Sequence, residues 1–352
     1  MRPTGIFFKT YAAEARVLET RRSRLWLLAL GVMLVALPLF SGPWLLGQLT
    51  YAFITLIAVY GLFVTVGMAG QINIAQSAFV GVGAFTAAKL SGLGVPFWLV
   101  IPAAALVTGA VSVLFALPAS RVKGFYLALT TLAAQIMFPI VILALPMSWL
   151  GGLVGLPVVS PELFGLSLGT PHGLYWLALV FAAVAMFCAF NLPRSRLGRA
   201  LRAVHDNDTA AGVMGIPVAR IKIEAFFAGA LFAGVAGALT AYYLQFVTVS
   251  SFTIFASVWY LGMLIVGGIN SPLGPILGVA FITFIQEGLH TMSNMLLQSE
   301  SGGSFDGGAV FALSSIVLAL CILIALIFEP RGLAHLWHTI KTNFRLWPFP
   351  RN

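Results

Sequence analysis

Few residues in this chain could do chemistry, and they fall into groups. The densest group is RSRLGRALRAVHDNDTAAGVMGIP, Arg194 to Pro217, with four arginines, two aspartates and a histidine amid apolar sequence. A catalytic set would need a recognisable pattern. There is no H-E-x-x-H, no G-x-S-x-G and no G-x-x-x-x-G-K-[ST] in the chain. Any ATP hydrolysis must therefore come from another polypeptide. Glu287 and His290, with Gln286 beside them, are spaced so that one helix face holds both. A proton relay would use such a pair. They also lie near the end of their apolar segment, where water satisfies them. The rival reading, a proton-coupled secondary transporter, would need more ionisable groups than these charge-poor segments supply.

Two further groups are polar and uncharged. GMAGQINIAQS, Gly67 to Ser77, loosens the backbone at Gly67 and Gly70 and supplies Gln71, Asn73, Gln76 and Ser77. GGINSPLGP, Gly267 to Pro275, does the same with Gly267, Gly268, Asn270, Ser271 and two prolines. Such side chains inside an apolar segment satisfy freed backbone groups or line a watery path. Gly- and Pro-interrupted segments point to a transport pathway or gate. YGLFVTVGMAGQIN from Tyr60 and YLGMLIVGGIN from Tyr260 share Tyr and Gly at a spacing of seven and a following Asn; a parallel internal repeat is one reading of this short match, and coincidence in biased composition is the other.

The elements that hold these groups follow from composition. Apolar residues make up 60% of the chain and charged ones 8%, and the mean hydropathy is +1.00. A soluble domain carries about 25% charge, so lipid is the solvent for most of this chain. Apolar runs at 25–41, 48–66, 72–90, 96–118, 125–145, 173–192, 221–244, 252–269, 274–297 and 309–328 are each long enough to span a bilayer. The expected fold is all-α and polytopic, with about ten transmembrane helices and both termini cytoplasmic. All but one of the 19 lysines and arginines then fall on the cytoplasmic side, as the positive-inside rule requires. The exception, Lys89, sits near a helix end and can snorkel. The net charge of +9 thus reflects topology and contact with anionic membrane lipid, not nucleic-acid binding.

Three regions follow: a basic cytoplasmic segment at 1–24, a membrane domain at 25–330 with a cytoplasmic segment at 194–218, and a basic tail at 331–352. The first apolar run lacks an A-x-A-like cleavage site and reads as a retained span. The outer loop at 146–172, rich in Gly and Pro yet apolar, is expected to lie on the membrane and to offer a docking place for a soluble delivery partner. Cys188 and Cys321, inside apolar runs and without metal-ligand spacing, read as small buried hydrophobes.

Within the cytoplasmic segment, LGRALRAVH forms a helix with Leu197, Leu201 and Val204 on one face and Arg199 and Arg202 turned away. Asp206, Asn207 and Asp208 are N-cap types for a second helix over Thr209–Met214. Gly215 and Pro217 end it. A helix this short is stable only when docked, and Ala210 and Ala211 offer a low-bulk surface for a partner's groove. In the seventh span, Ala225, Gly229, Ala233, Gly237 and Ala241 form a small-residue stripe, with Ala230, Gly234 and Ala238 beside it. Such stripes let helix backbones approach closely in lipid. Ordinary intrachain packing and contact with a second membrane chain are both open for it.

The spacing T-A-A-x-x-x-G from Thr209 to Gly215, followed by Ile216 and Pro217, resembles the coupling segment of ABC-importer permeases. Ser195, Arg196, Gly198, Arg199, Ala200, Ala203, Ala210, Ala211 and Gly215 match the branched-chain amino acid permease family, LivM-like branch. AGQINIAQSAFVGVGAF (69–85), RVKGFYLALTTLA (121–133), GGLVGLP (151–157), AGVAGALTAYYLQFVTVSSF (233–252) and LIVGGINSPLGPILG (264–278) extend the resemblance over roughly residues 45–330. Gln76 stands where the family often has His, and His205-Asp206 replaces its usual Arg-acidic pair. The resemblance implies a non-enzymatic permease subunit of an ATP-driven importer in the bacterial inner membrane. Its implied partners are a second, LivH-like permease, two cytoplasmic ATPases and an extracytoplasmic solute-binding protein. No cofactor would bind this chain, since ATP and magnesium would sit on the ATPases. Arg199, Arg202, Asp208, Thr209, Ala210, Ala211 and Gly215 would couple to them. Branched-chain amino acids, urea or short amides, and aromatic acids all stay open as solutes.

Overall fold

The computed structural model describes residues 21–298 apart from 123, 153, 164 and 165, a few positions between 316 and 329, and 331–346. The helices are α1 (Arg21–Phe40), α2 (Pro43–Leu62), α3 (Gln76–Gly92), α4 (Phe97–Ala119), α5 (Phe125–Ala144), the short α6 (Met147–Leu150) and α7 (Pro171–Asn191). They continue as α8 (Arg196–Asp206), α9 (Asp208–Val213), α10 (Val218–Leu244), α11 (Ile254–Gly267), α12 (Gly274–Gln298) and α13 (Leu333–Leu346). Among the described residues, six segments are helical, long and apolar enough to cross a membrane: Pro43–Met68, Phe97–Ala119, Phe125–Ala144, Pro171–Arg194, Val218–Leu244 and Val249–Gly267. Helices α1, α3 and α12 occupy three more of the expected apolar runs. The run at 309–328 and the basic segment before Arg21 lie largely outside the described residues.

The core is built around α10, which packs against α2, α3 and α4. Its 27 residues extend about 40 Å, enough to cross the hydrocarbon layer with room to spare. What draws the neighbours close is the pair of small-residue rows, and both rows are spent on packing within this chain. A Cβ built on Gly229 would lie 2.6 Å from Thr65 Cγ2 and 2.7 Å from the Gly61 carbonyl oxygen of α2. One on Gly234 would meet Ala105 Cα of α4 at 2.6 Å, and one on Gly237 would strike the Val80 carbonyl and the Ala84 nitrogen of α3. Ala225, Ala233 and Ala241 are fully buried between them.

The loop after α5 is tied to the end of α10 by a short strand pair. Leu156–Pro157 (β1) pairs antiparallel with Phe246–Val247 (β4), just beyond the end of α10, while Glu162–Leu163 (β2) pairs with Leu166–Ser167 (β3). One expectation fails here. Cys188 is exposed, not buried. The packed face of α7 is Leu174, Ala178, Ala182, Ala185 and Ala189, and Cys188 lies off that stripe. Cys321 lies outside the described residues.

Candidate functional site

The first break starts as a change of helix pitch. After Leu62 the chain continues as a π-turn, Phe63–Met68, and leaves it at Gly70, whose φ of +65° suits a residue without Cβ. Residues 71–75 then climb back beside α2. Gln76 Nε2 donates to the Ala58 carbonyl at 2.6 Å, so α3 begins level with Ala58. Ala58 precedes Met68 by ten residues, so α3 starts beside the last turns of α2 rather than where the π-turn ends. The apolar run expected from residue 72 is therefore helical only from Gln76.

A helix that starts inside a bundle exposes N–H groups where water is scarce, and each one left unsatisfied costs about 1–3 kcal/mol. Side chains from three places cap them. The Ile74 N–H donates to Thr131 Oγ1 and the Ala75 N–H to Asn73 Oδ1. The Ser77 N–H donates to Ser257 Oγ at 2.8 Å, and the Ala78 N–H to Gln135 Oε1 at 2.9 Å. Ser257 also donates to Gln135 Oε1, and Gln135 Nε2 donates to the Phe252 carbonyl. Asn73 Nδ2 donates to Gln76 Oε1 at 3.2 Å. Gln71, Asn73, Gln76, Ser77, Gln135 and Ser257 are all at most 3% exposed. Gln71 Oε1 and Ser77 Oγ are buried without a hydrogen-bond partner in this network. Thr131, Gln135 and Ser257 escaped the reading of the sequence. Their signal was there, as isolated polar residues in apolar spans, but their target lies on another helix.

The second break is a tight turn between α11 and α12. Gly267 and Gly274 lie against each other's backbone, and Gly278 meets the Met263 carbonyl. Asn270 is exposed on this turn. The two breaks touch. A Cβ on Gly67 would strike the Ile269 carbonyl, and Tyr60 Oη donates to the Pro272 carbonyl at 3.3 Å. They are built differently, one from a π-turn with an extended return and the other from a compact turn. Glu287 is half-buried on α12, and the side chain of His290 lies outside the described residues.

At the same end of the bundle, α8 and α9 form a hairpin. Ser195 Oγ caps α8 by accepting from the Gly198 N–H. Leu201 and Val204 face inward, while Arg199 and Arg202 are exposed. Of the three N-cap types, Asn207 takes the role, its Oδ1 accepting from the Thr209 and Ala210 N–H groups. Asp208 Oδ2 instead pairs with Lys222 Nζ of α10 at 2.8 Å, and Lys222 is 6% exposed. At the far end the Ile216 N–H donates to the Ala211 carbonyl, and Gly215 has φ +85°, a Schellman-type stop that glycine permits. The two alanines part company. Ala210 is exposed, but Ala211 is 4% exposed and packs into the hairpin's own chain. The large outward surface of α9 is instead Val213 and Met214, 83% and 82% exposed.

An apolar helical bundle with buried polar breaks and a capped hairpin at one end is an all-α polytopic membrane protein. Residues 44–326 match the family described as branched-chain amino acid transport system / permease component, and the chain belongs to that family. It is similar to the high-affinity branched-chain amino acid transport system permease protein LivM of Salmonella typhimurium, 32% identical over 296 residues. That alignment covers 76% of this chain and 69% of the relative. The LivM protein of Escherichia coli is 31% identical with the same coverage. A probable LivM of Methanocaldococcus jannaschii is 25% identical over 252 residues, 69% of each chain. No solved structure matches the chain significantly.

Proposed function

We propose that this chain is one permease subunit of an ATP-driven importer of branched-chain or related amino acids in a bacterial inner membrane. The observation that carries the reading is the α8–α9 hairpin. It is capped at both ends and tied to the central helix by Asp208–Lys222, and it offers Val213 and Met214 outward. Beside the exposed Arg199, Arg202, Asp206 and Asn207, these two adjacent apolar side chains are where a partner would gain most by burial. In this reading two cytoplasmic ATPases hold that surface, bind ATP and magnesium, and hydrolyse the nucleotide. Arg199, Arg202, Thr209 and Ala210 surround the contact. Ala211 and Gly215 shape the hairpin from within. A second, LivH-like permease completes the pathway, and an extracytoplasmic binding protein delivers solute near residues 146–172. The membrane domain comprises 25–330 in ten spans, between a basic segment at 1–24 and a tail at 331–352, both cytoplasmic.

Alternating access needs a polar route that opens by turns. The buried set of Gln71, Asn73, Gln76 and Ser77 and the turn of Gly267, Gly268 and Asn270 are the segments of this chain that meet that need. The network is uncharged, which suits a zwitterion or an amide and gives a proton relay no chain of ionisable groups. ATP can drive the cycle only if the hairpin contacts the ATPases differently in their two states.

The test is purification of the chain from its host, identification of what accompanies it, and leucine uptake by the reconstituted complex. Two ATPases, a second permease and ATP-dependent uptake are expected. A lone oligomer whose uptake follows the proton gradient would overturn the reading and turn attention to Glu287. Competition by unlabelled urea, short amides and aromatic acids decides the solute class. For topology, a green fluorescent protein fused after Asn352 is expected to fluoresce, and alkaline phosphatase inserted near Ser160 to be active. The reverse pattern would invert the assigned orientation.

A further inference from the structure

The hairpin meets the first break directly, through a residue outside the set assigned above to the ATPase contact. We infer that His205 is the positioning residue that carries displacement of the hairpin into the break at Gly67–Gly70. The inference rests on the coupling role proposed above for the hairpin. The His205 ring lies over Gly70. A Cβ on Gly70 would sit 2.8 Å from His205 Cδ2, 3.1 Å from Cγ and 3.3 Å from Nε2. Gly70 is at positive φ, and a Cβ there would crowd the ring of His205, a residue that is otherwise exposed.

Besides the buried Leu201, Val204 and Ala211, the hairpin meets the bundle through an ion pair and through the His205 ring, and these two contacts differ in what they can move. Asp208–Lys222 ties α9 to α10. Helix α10 is locked by the backbone contacts of Gly229, Gly234 and Gly237 with three neighbouring helices, so shifting it means repacking the core. The break is the softer element. Residues 71–75 carry no helical ladder, and side chains hold two of their N–H groups: Thr131 of α5 accepts from the Ile74 N–H and Asn73 Oδ1 from the Ala75 N–H. Segments of this kind open at lower free energy than core helices. The ion pair is then a pivot, and the His205 ring the part that pushes. From Gly70 the displacement reaches the second break through the Gly67–Ile269 contact and the Tyr60–Pro272 hydrogen bond. Contiguity alone does not make a coupling; both ends must change state together.

The experiment reads the break itself. Ile72, 39% exposed within it, is replaced by cysteine in the full complex, with Cys188 and Cys321 changed to serine. The labelling rate of this cysteine by a small thiol reagent is measured without nucleotide and with ATP plus vanadate. With His205 present the two rates are expected to differ by about fivefold or more, the lower range of allosteric coupling. His205→Ala is expected to bring the ratio near one while the ATPases still co-purify and still hydrolyse ATP. His205→Phe, which keeps a flat ring on Gly70, is expected to restore most of the ratio. A full ratio in His205→Ala, no ratio in the parent protein, or no rescue by phenylalanine would each overturn the inference. Absence of bound ATPases from the parent complex would instead defeat the coupling reading beneath it.

Discussion

Changing Val213 and Met214 together to aspartate is expected to strip the ATPases from the complex and lower uptake to below about a tenth, with the permease still in the membrane. Burial of a side chain of this kind contributes roughly 1.5–3 kcal/mol, so losing both would cost about 4 kcal/mol, close to a thousandfold in affinity. A charge forced into an apolar contact adds to that loss. The fold has no stake in either side chain, since both are more than four-fifths exposed. Co-purification and thermal stability, measured on the same preparation, separate the two effects. Retained ATPases and normal uptake would remove Val213 and Met214 from the interface. Ala211→Arg would also stop transport, but for another reason: at 4% exposure the arginine would have to break the hairpin open.

Gly237→Val is expected to cost about 3 kcal/mol or more and to leave little folded protein, the largest stability effect anticipated for a single substitution here. Overpacking is tolerable when the neighbour is a flexible side chain. At Gly237 the neighbours are the Val80 carbonyl, the Ala84 nitrogen and Gly83 Cα, all main chain of α3, so the two helices must separate. Their separation would also disturb the capped start of α3 that Gln135 and Ser257 maintain. Gly262→Ala in α11 is the control. A Cβ there meets nothing within 4 Å, and the protein should melt within a degree or two of its parent. Size-exclusion profiles after stepwise heating measure both. A Gly237→Val protein as stable as Gly262→Ala would mean that α10 and α3 are not in contact as described.

Much of this arrangement was legible in residue order. Gly215 and Pro217 end α9 and the cap narrows to Asp206, Asn207 or Asp208 because caps and stops act within four residues, and the inward positions Leu201 and Val204 follow from helical period alone. The breaks at Gly67–Ser77 and Gly267–Pro275 were visible because polar and glycine residues interrupt apolar runs. The small-residue rows of α10 announced close approach without naming the partner. The same local logic misjudged Ala211 and Cys188. A two-residue or lone-residue cue says nothing about which side of a helix another element will cover.

The sequence by itself determined that this chain is a multi-pass membrane protein and that a bounded helical hairpin interrupts its apolar runs. Those properties depend on transfer free energy and on hydrogen bonds closed within one turn. Only the tertiary structure decided that Gln135 and Ser257 cap a helix nearly sixty and one hundred and eighty residues away. It alone laid His205 on Gly70, set the two breaks in contact and turned Val213 and Met214 outward. Each of these depends on which backbones approach each other, and that is fixed by the summed packing of α10 against its neighbours rather than by any residue's own preference.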